Sequence, residues 1–123
     1  MTDGISWEDA PSALEAPGVD IRRVDHGDLA MCLIRLAKGV DTRPLFKGLP
    51  DDECQCDHWG YIISGTMLVR TSDGERTYDA GETYFWPPGH NLEARTDAVY
   101  LEFSPSDQYD ELMAHCARVM ASM

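Results

Sequence analysis

DAGETYFWPPGH, residues 79–90, sets an aromatic-rich run, Thr83 to Trp86, between a glycine turn and a proline pair. Thr, Tyr, Phe and Trp favour the pleated, extended backbone. Gly81 permits a sharp turn before the run. Pro87, Pro88 and Gly89 end it, because proline cannot donate to a ladder and glycine allows the chain to reverse. The segment reads as one short strand bounded by turns, and the pattern continues on both sides. Upstream, YIIS and TMLVRT flank Gly65, and SDGE at 72–75 contains Asp73-Gly74, a dipeptide suited to a tight hairpin. ERTYDA then leads to Gly81. In LAMCLIRLAK, residues 29–38, Cys32, Ile34 and Leu36 share one face and Met31, Leu33 and Arg35 the other. Downstream, AVYLEFS at 98–104 reads as a final core strand, with Val99, Leu101 and Phe103 facing in and Glu102 facing out. Short strands at this spacing indicate an all-β sandwich or barrel rather than βαβ units.

The two ends read differently. Residues 1–18, with Pro11, Pro17 and Gly18 and no apolar period, are expected to form a flexible arm outside the core. After SPSD the period lengthens. Tyr109, Leu112, Cys116, Val119 and Met123 recur at steps of three and four, drawing an apolar stripe along a helix over 105–123, with Ser104 or Ser106 available to cap it. Such a helix packs on the β domain, 19–104, or on a second subunit.

Composition narrows the functional classes. At 123 residues the chain is the size of one domain. Ten Lys and Arg against 22 Asp and Glu leave a formal charge of −12, which repels phosphate backbones and anionic lipid and argues against nucleic acid and membrane partners. No apolar run is long enough to span a bilayer, and the acidic first residues lack the basic and apolar regions of a secretory leader, so a cytoplasmic location is expected. In a reducing compartment Cys32, Cys54, Cys56 and Cys116 are free thiols or metal ligands rather than disulfides. No serine nucleophile elbow, phosphate-binding glycine loop or dinucleotide fingerprint is present.

The order of strands and turns, and above all YIISGTMLV (61–69) and DAGETYFWPPGH (79–90), resembles the cupin superfamily, small jelly-roll barrels of antiparallel strands. The resemblance covers residues 19–104 and implies an all-β, cupin-type jelly-roll β-barrel followed by the C-terminal α-helix. In metal-binding cupins the first motif supplies H-x-H and a glutamate seven residues before its glycine, and the second supplies a histidine after P-x-G. Here the glutamate slot holds His58, and the H-x-H slots fall near Asp52 and Cys54. The later histidine slot holds Leu92, whereas His90 follows Gly89 directly. The resemblance thus implies a rewritten ligand set drawn from Cys54, Cys56, His58 and His90.

Thiolate and imidazole suit zinc or iron(II), with zinc the first choice. Four steps along an extended strand cover about 13 Å, so Cys54 and His58 can share an ion only where the chain bends between them. Cys56, His58 and His90 are therefore the preferred core of the site, with Cys54 a fourth ligand if residues 51–55 curl. Four protein ligands make a closed, structural site, and three leave a position for water or substrate. Tyr61, Tyr84 and Trp86 are candidate pocket walls for a small organic ligand. Among activities, the resemblance implies metal-dependent oxygenase or isomerase chemistry. The alternative is a non-catalytic module with a closed site, and a homodimer is expected in either case.

Overall fold

Strands form where the sequence alternates and stop where glycine or proline interrupts it. The computed structural model describes residues 3–123. Its strands are β1 (Ser12–Ala16), β2 (Val19–His26), β3 (Leu29–Leu36), β4 (His58–Ser64), β5 (Thr66–Thr71), β6 (Gly74–Asp79), β7 (Thr83–Trp86), β8 (Asn91–Ala94) and β9 (Ala98–Pro105). The helices are α1 (Arg43–Phe46) and α2 (Ser106–Ala121), with a 3-10 turn at Pro50–Asp52. Antiparallel pairing builds a six-stranded sheet in the order β1-β2-β3-β9-β4-β7 and a three-stranded sheet in the order β6-β5-β8. Neither sheet closes on itself among the described residues, and the pair has the form of a jelly roll.

Gly65 turns the corner from β4 in one sheet to β5 in the other. Its φ is +85°, and a Cβ there would run into the carbonyl oxygen of Asp97, so both conformation and space demand glycine. The Asp73-Gly74 hairpin also forms, with Ser72 and Asp73 in the turn and Gly74 already paired to Thr71.

The core lies between the sheets, where Ile34, Ile62, Met67, Trp86 and Tyr100 are buried. Each such side chain contributes roughly 1.5–3 kcal/mol relative to exposure. On β3 the expected face is the buried one. On β9 it is reversed: Ala98, Tyr100, Glu102 and Ser104 point inward and Val99, Leu101 and Phe103 outward. The register explains this, because Tyr100 pairs with Ile34 on one side and Ile62 on the other, and both of those are core residues. Glu102, expected on the outside, is 3 % exposed.

Two further expectations are corrected. Within the segment read as a free arm, Ser12–Ala16 form the edge strand of the large sheet, and Ala10 and Leu14 are buried. The Pro17-Gly18 pair is the hairpin turn that returns this strand to β2, rather than the end of an arm. The helix forms as expected with Tyr109, Leu112 and Cys116 buried, but neither Ser104 nor Ser106 caps it, and Met123 lies beyond its end, exposed.

Helix α2 leaves the end of β9 and covers that end of the sandwich. Arg23 of β2 holds its first turn, bonding Asp110 at 2.8 Å and lying over the Tyr109 ring at 5.2 Å. Further along, His115 Nε2 meets the Lys47 carbonyl at 2.9 Å, which ties the helix to the loop after α1. No helix among the described residues is long and apolar enough to cross a membrane.

Candidate metal centre

His58 is the first residue of β4, and Ser104 stands near the end of the neighbouring β9, so both side chains enter the core at the end of the sandwich that α2 covers. His90 precedes β8, directly after the proline–glycine turn. Cys54 lies outside the regular strands and is locked opposite His90 by an isolated bridge. Its amide donates to the His90 carbonyl at 2.9 Å, and its own carbonyl accepts from Gly89 N–H at 2.7 Å.

The chain bends at Cys56, and this bend brings Cys54 and His58 together. Their Sγ and Nε2 atoms are 3.5 Å apart. Donor atoms of Cys54, His58 and His90 all lie within 4.8 Å of one another, and all three residues are buried. Cys56, preferred over Cys54 in the sequence reading, stands outside this group, with its Sγ donating to the Asp57 carbonyl at 3.5 Å. The same bend that draws Cys54 in turns Cys56 aside.

Hydrogen bonds fix the imidazoles. His90 Nδ1 is 2.7 Å from the Pro87 carbonyl, which can only accept, so Nδ1 carries the hydrogen and Nε2 keeps its lone pair. That Nε2 is buried with no partner. His58 Nδ1 is 2.6 Å from Ser104 Oγ and 3.5 Å from Glu102 Oε2. Ser104 Oγ and the Cys54 thiol can each donate or accept; in the tautomer that has Nδ1–H donating to Ser104, the His58 Nε2 lone pair also faces the cluster. Tyr84 O–H lies 3.2 Å from Glu102 Oε1 and 3.0 Å from the Leu101 carbonyl. Gly60 makes room for that ring, because a Cβ at Gly60 would strike Tyr84 and the Leu101 carbonyl oxygen.

Burial dominates the electrostatics. It lowers His58 well below the usual imidazole value, helped by His90, and it lowers His90 as well, outweighing the Pro87 bond. It drives the Cys54 thiol far up and Cys56 to about 12. Glu102 rises to about 8 by the same cause, against the Tyr84 hydrogen bond. At neutral pH the Glu102–His58 contact is accordingly one between a carboxylic acid and a neutral imidazole rather than an ion pair. A dication among the donors would reverse these trends, drawing off the thiol proton and favouring the carboxylate.

The donor set fits such an ion. Two neutral imidazole nitrogens and one sulfur are zinc ligand types, and an N and an S on a tetrahedral zinc stand about 3.5 Å apart. The Ser104 and Glu102 contacts to His58 Nδ1 are of the kind that orient a ligating histidine from behind. These two residues were missed in the sequence reading. The only available signal was a carboxylate and a serine at alternate positions of a strand otherwise apolar, which is also the pattern of a solvent-facing edge.

Beside the cluster lies a cavity of about 50 Å³, bordered by His58, Glu102 and Tyr100 from the large sheet, by His90 from the turn before β8 and by Tyr109 and Leu112 from α2. Of the expected pocket walls, Tyr61 is 42 % exposed on the outer sheet face. Tyr84 and Trp86 are buried, stack at 3.6 Å and do not border this cavity. A larger groove of about 460 Å³ opens at the opposite end of β4 and β9, near Ser64 and Ala98, away from the histidines.

No protein-family model matches the sequence, and no curated protein matches it. Solved structures do. An RmlC-like cupin of Shewanella frigidimarina superposes with a TM-score of 0.65 at 15 % identity, over 89 % of this chain and 96 % of that one. The polyketide cyclase RemF of Streptomyces resistomycificus gives 0.64 at 16 %, over 86 % and 80 %. A sugar phosphate isomerase of the cupin superfamily from Silicibacter pomeroyi gives 0.61 at 15 %, over 84 % and 75 %. With two facing antiparallel sheets, the glycine corner at Gly65 and a donor cluster at one end of the sandwich, the fold of this chain is that of the cupin superfamily.

Proposed function

We propose that this protein is a metal-dependent cupin that binds a small organic molecule at a divalent ion held by Cys54 Sγ, His58 Nε2 and His90 Nε2, with zinc ahead of iron(II). The observation that carries the reading is the His90 Nε2 lone pair, buried and unpartnered beside two further donors. An unsatisfied buried acceptor costs about 1–3 kcal/mol, and an ion removes that cost. Three protein donors leave a coordination position free. The ion, when bound, supplies Lewis-acid polarisation of a substrate oxygen or of water. Around it the chain's own residues have separate tasks: Ser104 and Glu102 hold the His58 ring, and Glu102 also presents its carboxyl group to the cavity.

Isomerase chemistry is the activity put forward, with oxygenase chemistry the counterpart if the ion is iron(II). Its support is the cyclase and isomerase among similarly folded proteins together with the carboxyl group that Glu102 presents at the cavity wall. A cavity of about 50 Å³ is far below the roughly 300–1,000 Å³ of an ordinary small-molecule site, so an organic ligand needs it to widen. The small, covered cavity also favours a second reading, a closed site that stiffens the sandwich without catalysis. We place the protein in the cytoplasm as a homodimer; its four free, buried thiols accord with a reducing compartment.

The test is metal analysis of tag-free protein. Wild type and Cys56→Ser are expected to carry equimolar metal, and Cys54→Ser and His90→Ala to carry almost none. Equal loading of all four rejects the site. In cobalt-substituted protein, a visible spectrum that responds to azide supports the open position, and one that ignores it supports the closed reading.

A further inference from the structure

The outer face of the six-stranded sheet presents side chains that proteins ordinarily keep from water. Trp59, Tyr61, Ile63 and Phe85 are each between 42 % and 47 % exposed. Trp59 and Phe85 are register partners with rings 5.1 Å apart. Across β9 the rows continue, with Phe103 opposite Trp59 and Leu101 opposite Tyr61. Among 22 Asp and Glu in the chain, none occupies an outward position on β3, β9, β4 or β7, and Arg35 at one end of the patch is the single charge there.

We propose that this face is the surface through which two copies of the chain pack, sheet against sheet, an inference that rests on the homodimer reading above. Area supports it. An aromatic side chain spans about 150–250 Å², so the exposed parts of Trp59, Tyr61 and Phe85 amount to roughly 200–350 Å², with Ile63 and the half-buried Leu101 and Phe103 adding to them. A homodimer interface buries about 800 Å² per partner, of which about two thirds is apolar, and the patch supplies most of that apolar share. Its size is that of the largest patch a monomer leaves uncovered, about 300–600 Å², and patches of that size are often functional.

Charge selects the occupant. Two chains of net charge −12 repel one another, and the patch on these four strands lets them meet without opposing carboxylates, Asp20 of β2 lying at its border beside Arg35 at 3.7 Å. A partner recruited by the acidic surface would be basic and would settle elsewhere. A twisted antiparallel sheet also matches a second copy of itself, since two such sheets pack face to face about 30° apart. Helix α2 is the weaker surface, because Tyr109, Leu112 and Cys116 are already buried against its own chain.

Sedimentation equilibrium of the full chain separates the possibilities. Wild type is expected at twice the 13.7 kDa chain mass, with a micromolar or tighter Kd. Tyr61→Lys with Phe85→Lys is expected to raise Kd at least about 100-fold, although the added lysines reduce the charge that keeps copies apart. Ile63→Gln, a milder change, is expected to raise it about tenfold and serves if circular dichroism shows the double variant unfolded. A wild-type monomer overturns the homodimer and the surface together. A wild-type dimer that persists unchanged in a folded double variant, or in Ile63→Gln, overturns this surface alone and leaves the homodimer standing.

Discussion

At the end covered by α2, the two faces of β4 and β9 reverse the usual arrangement of a sheet. Inward they carry His58, Glu102 and Ser104, polar groups at 3 % exposure or less. Outward they carry Trp59, Tyr61 and Ile63 exposed, with Leu101 and Phe103 half-buried. An antiparallel sheet ordinarily puts its apolar face on the core and its polar face in water. The reversal teaches that hydrophobicity along a strand reports two demands at once. The inner face turns polar at the end where the candidate metal centre lies, beyond the core residues Ile62 and Tyr100, and the outer face is apolar because, in the inference drawn above, it meets another surface.

The largest expected effect tests the polar side. His90→Ala should abolish equimolar metal in tag-free protein while far-ultraviolet circular dichroism stays unchanged; full metal content in a folded variant places the ion elsewhere. Next, paired truncations compare the faces on one strand. Tyr100→Ala removes a ring that is 2 % exposed between Ile34 and Ile62, and should cost about 3–5 kcal/mol in urea unfolding. Leu101→Ala, its outward neighbour, should cost below about 1 kcal/mol at concentrations where the chain is monomeric. Equal costs would mean that both faces are core.

Smaller effects sharpen the inner face. Gly60→Ala forces a Cβ against the Leu101 carbonyl and the Tyr84 ring, and an overpacking cost of about 1–3 kcal/mol is expected, seen as a lower Tm. A shift of that ring also loosens Glu102, so metal affinity should fall together with stability. Ser104→Ala removes the 2.6 Å contact to His58 Nδ1. Metal affinity should drop about 10- to 100-fold in a chelator competition, with about 1 kcal/mol of stability lost in the apoprotein. Unchanged affinity would show that Glu102 alone orients His58.

Much of the fold was legible because turn chemistry is local. Gly65, Gly81 and the Pro87-Pro88-Gly89 run each do where they stand what their backbone preferences dictate, and strands fill the intervals. The stripe on α2 was legible for the same reason. Strand β1 was not, because five residues beside two prolines carry little alternation, and only pairing with β2 makes them a strand. The face of β9 was not, because Val, Leu and Phe outweigh Ala, Tyr, Glu and Ser on any hydrophobicity scale, whatever lies on either side.

The candidate site divides in the same way. The cysteines and histidines stand out by type and by their place beside the two cupin-like motifs. Which cysteine joins the histidines depended on the bend at Cys56 and on the bridge from Cys54 to His90, and both are set by contacts between segments 36 residues apart in the chain. Ser104 and Glu102 came to the site only through the pairing of β9 with β4. Residue chemistry and local turns are properties of short stretches, and the sequence by itself determined them: the turn-bounded strands of the motif region, the C-terminal helix and the candidate ligand types. Which side of a strand becomes the inside is decided by its neighbours in the sheet, so the choice of Cys54, the burial of Glu102 and the exposure of Trp59 belonged to the tertiary structure alone.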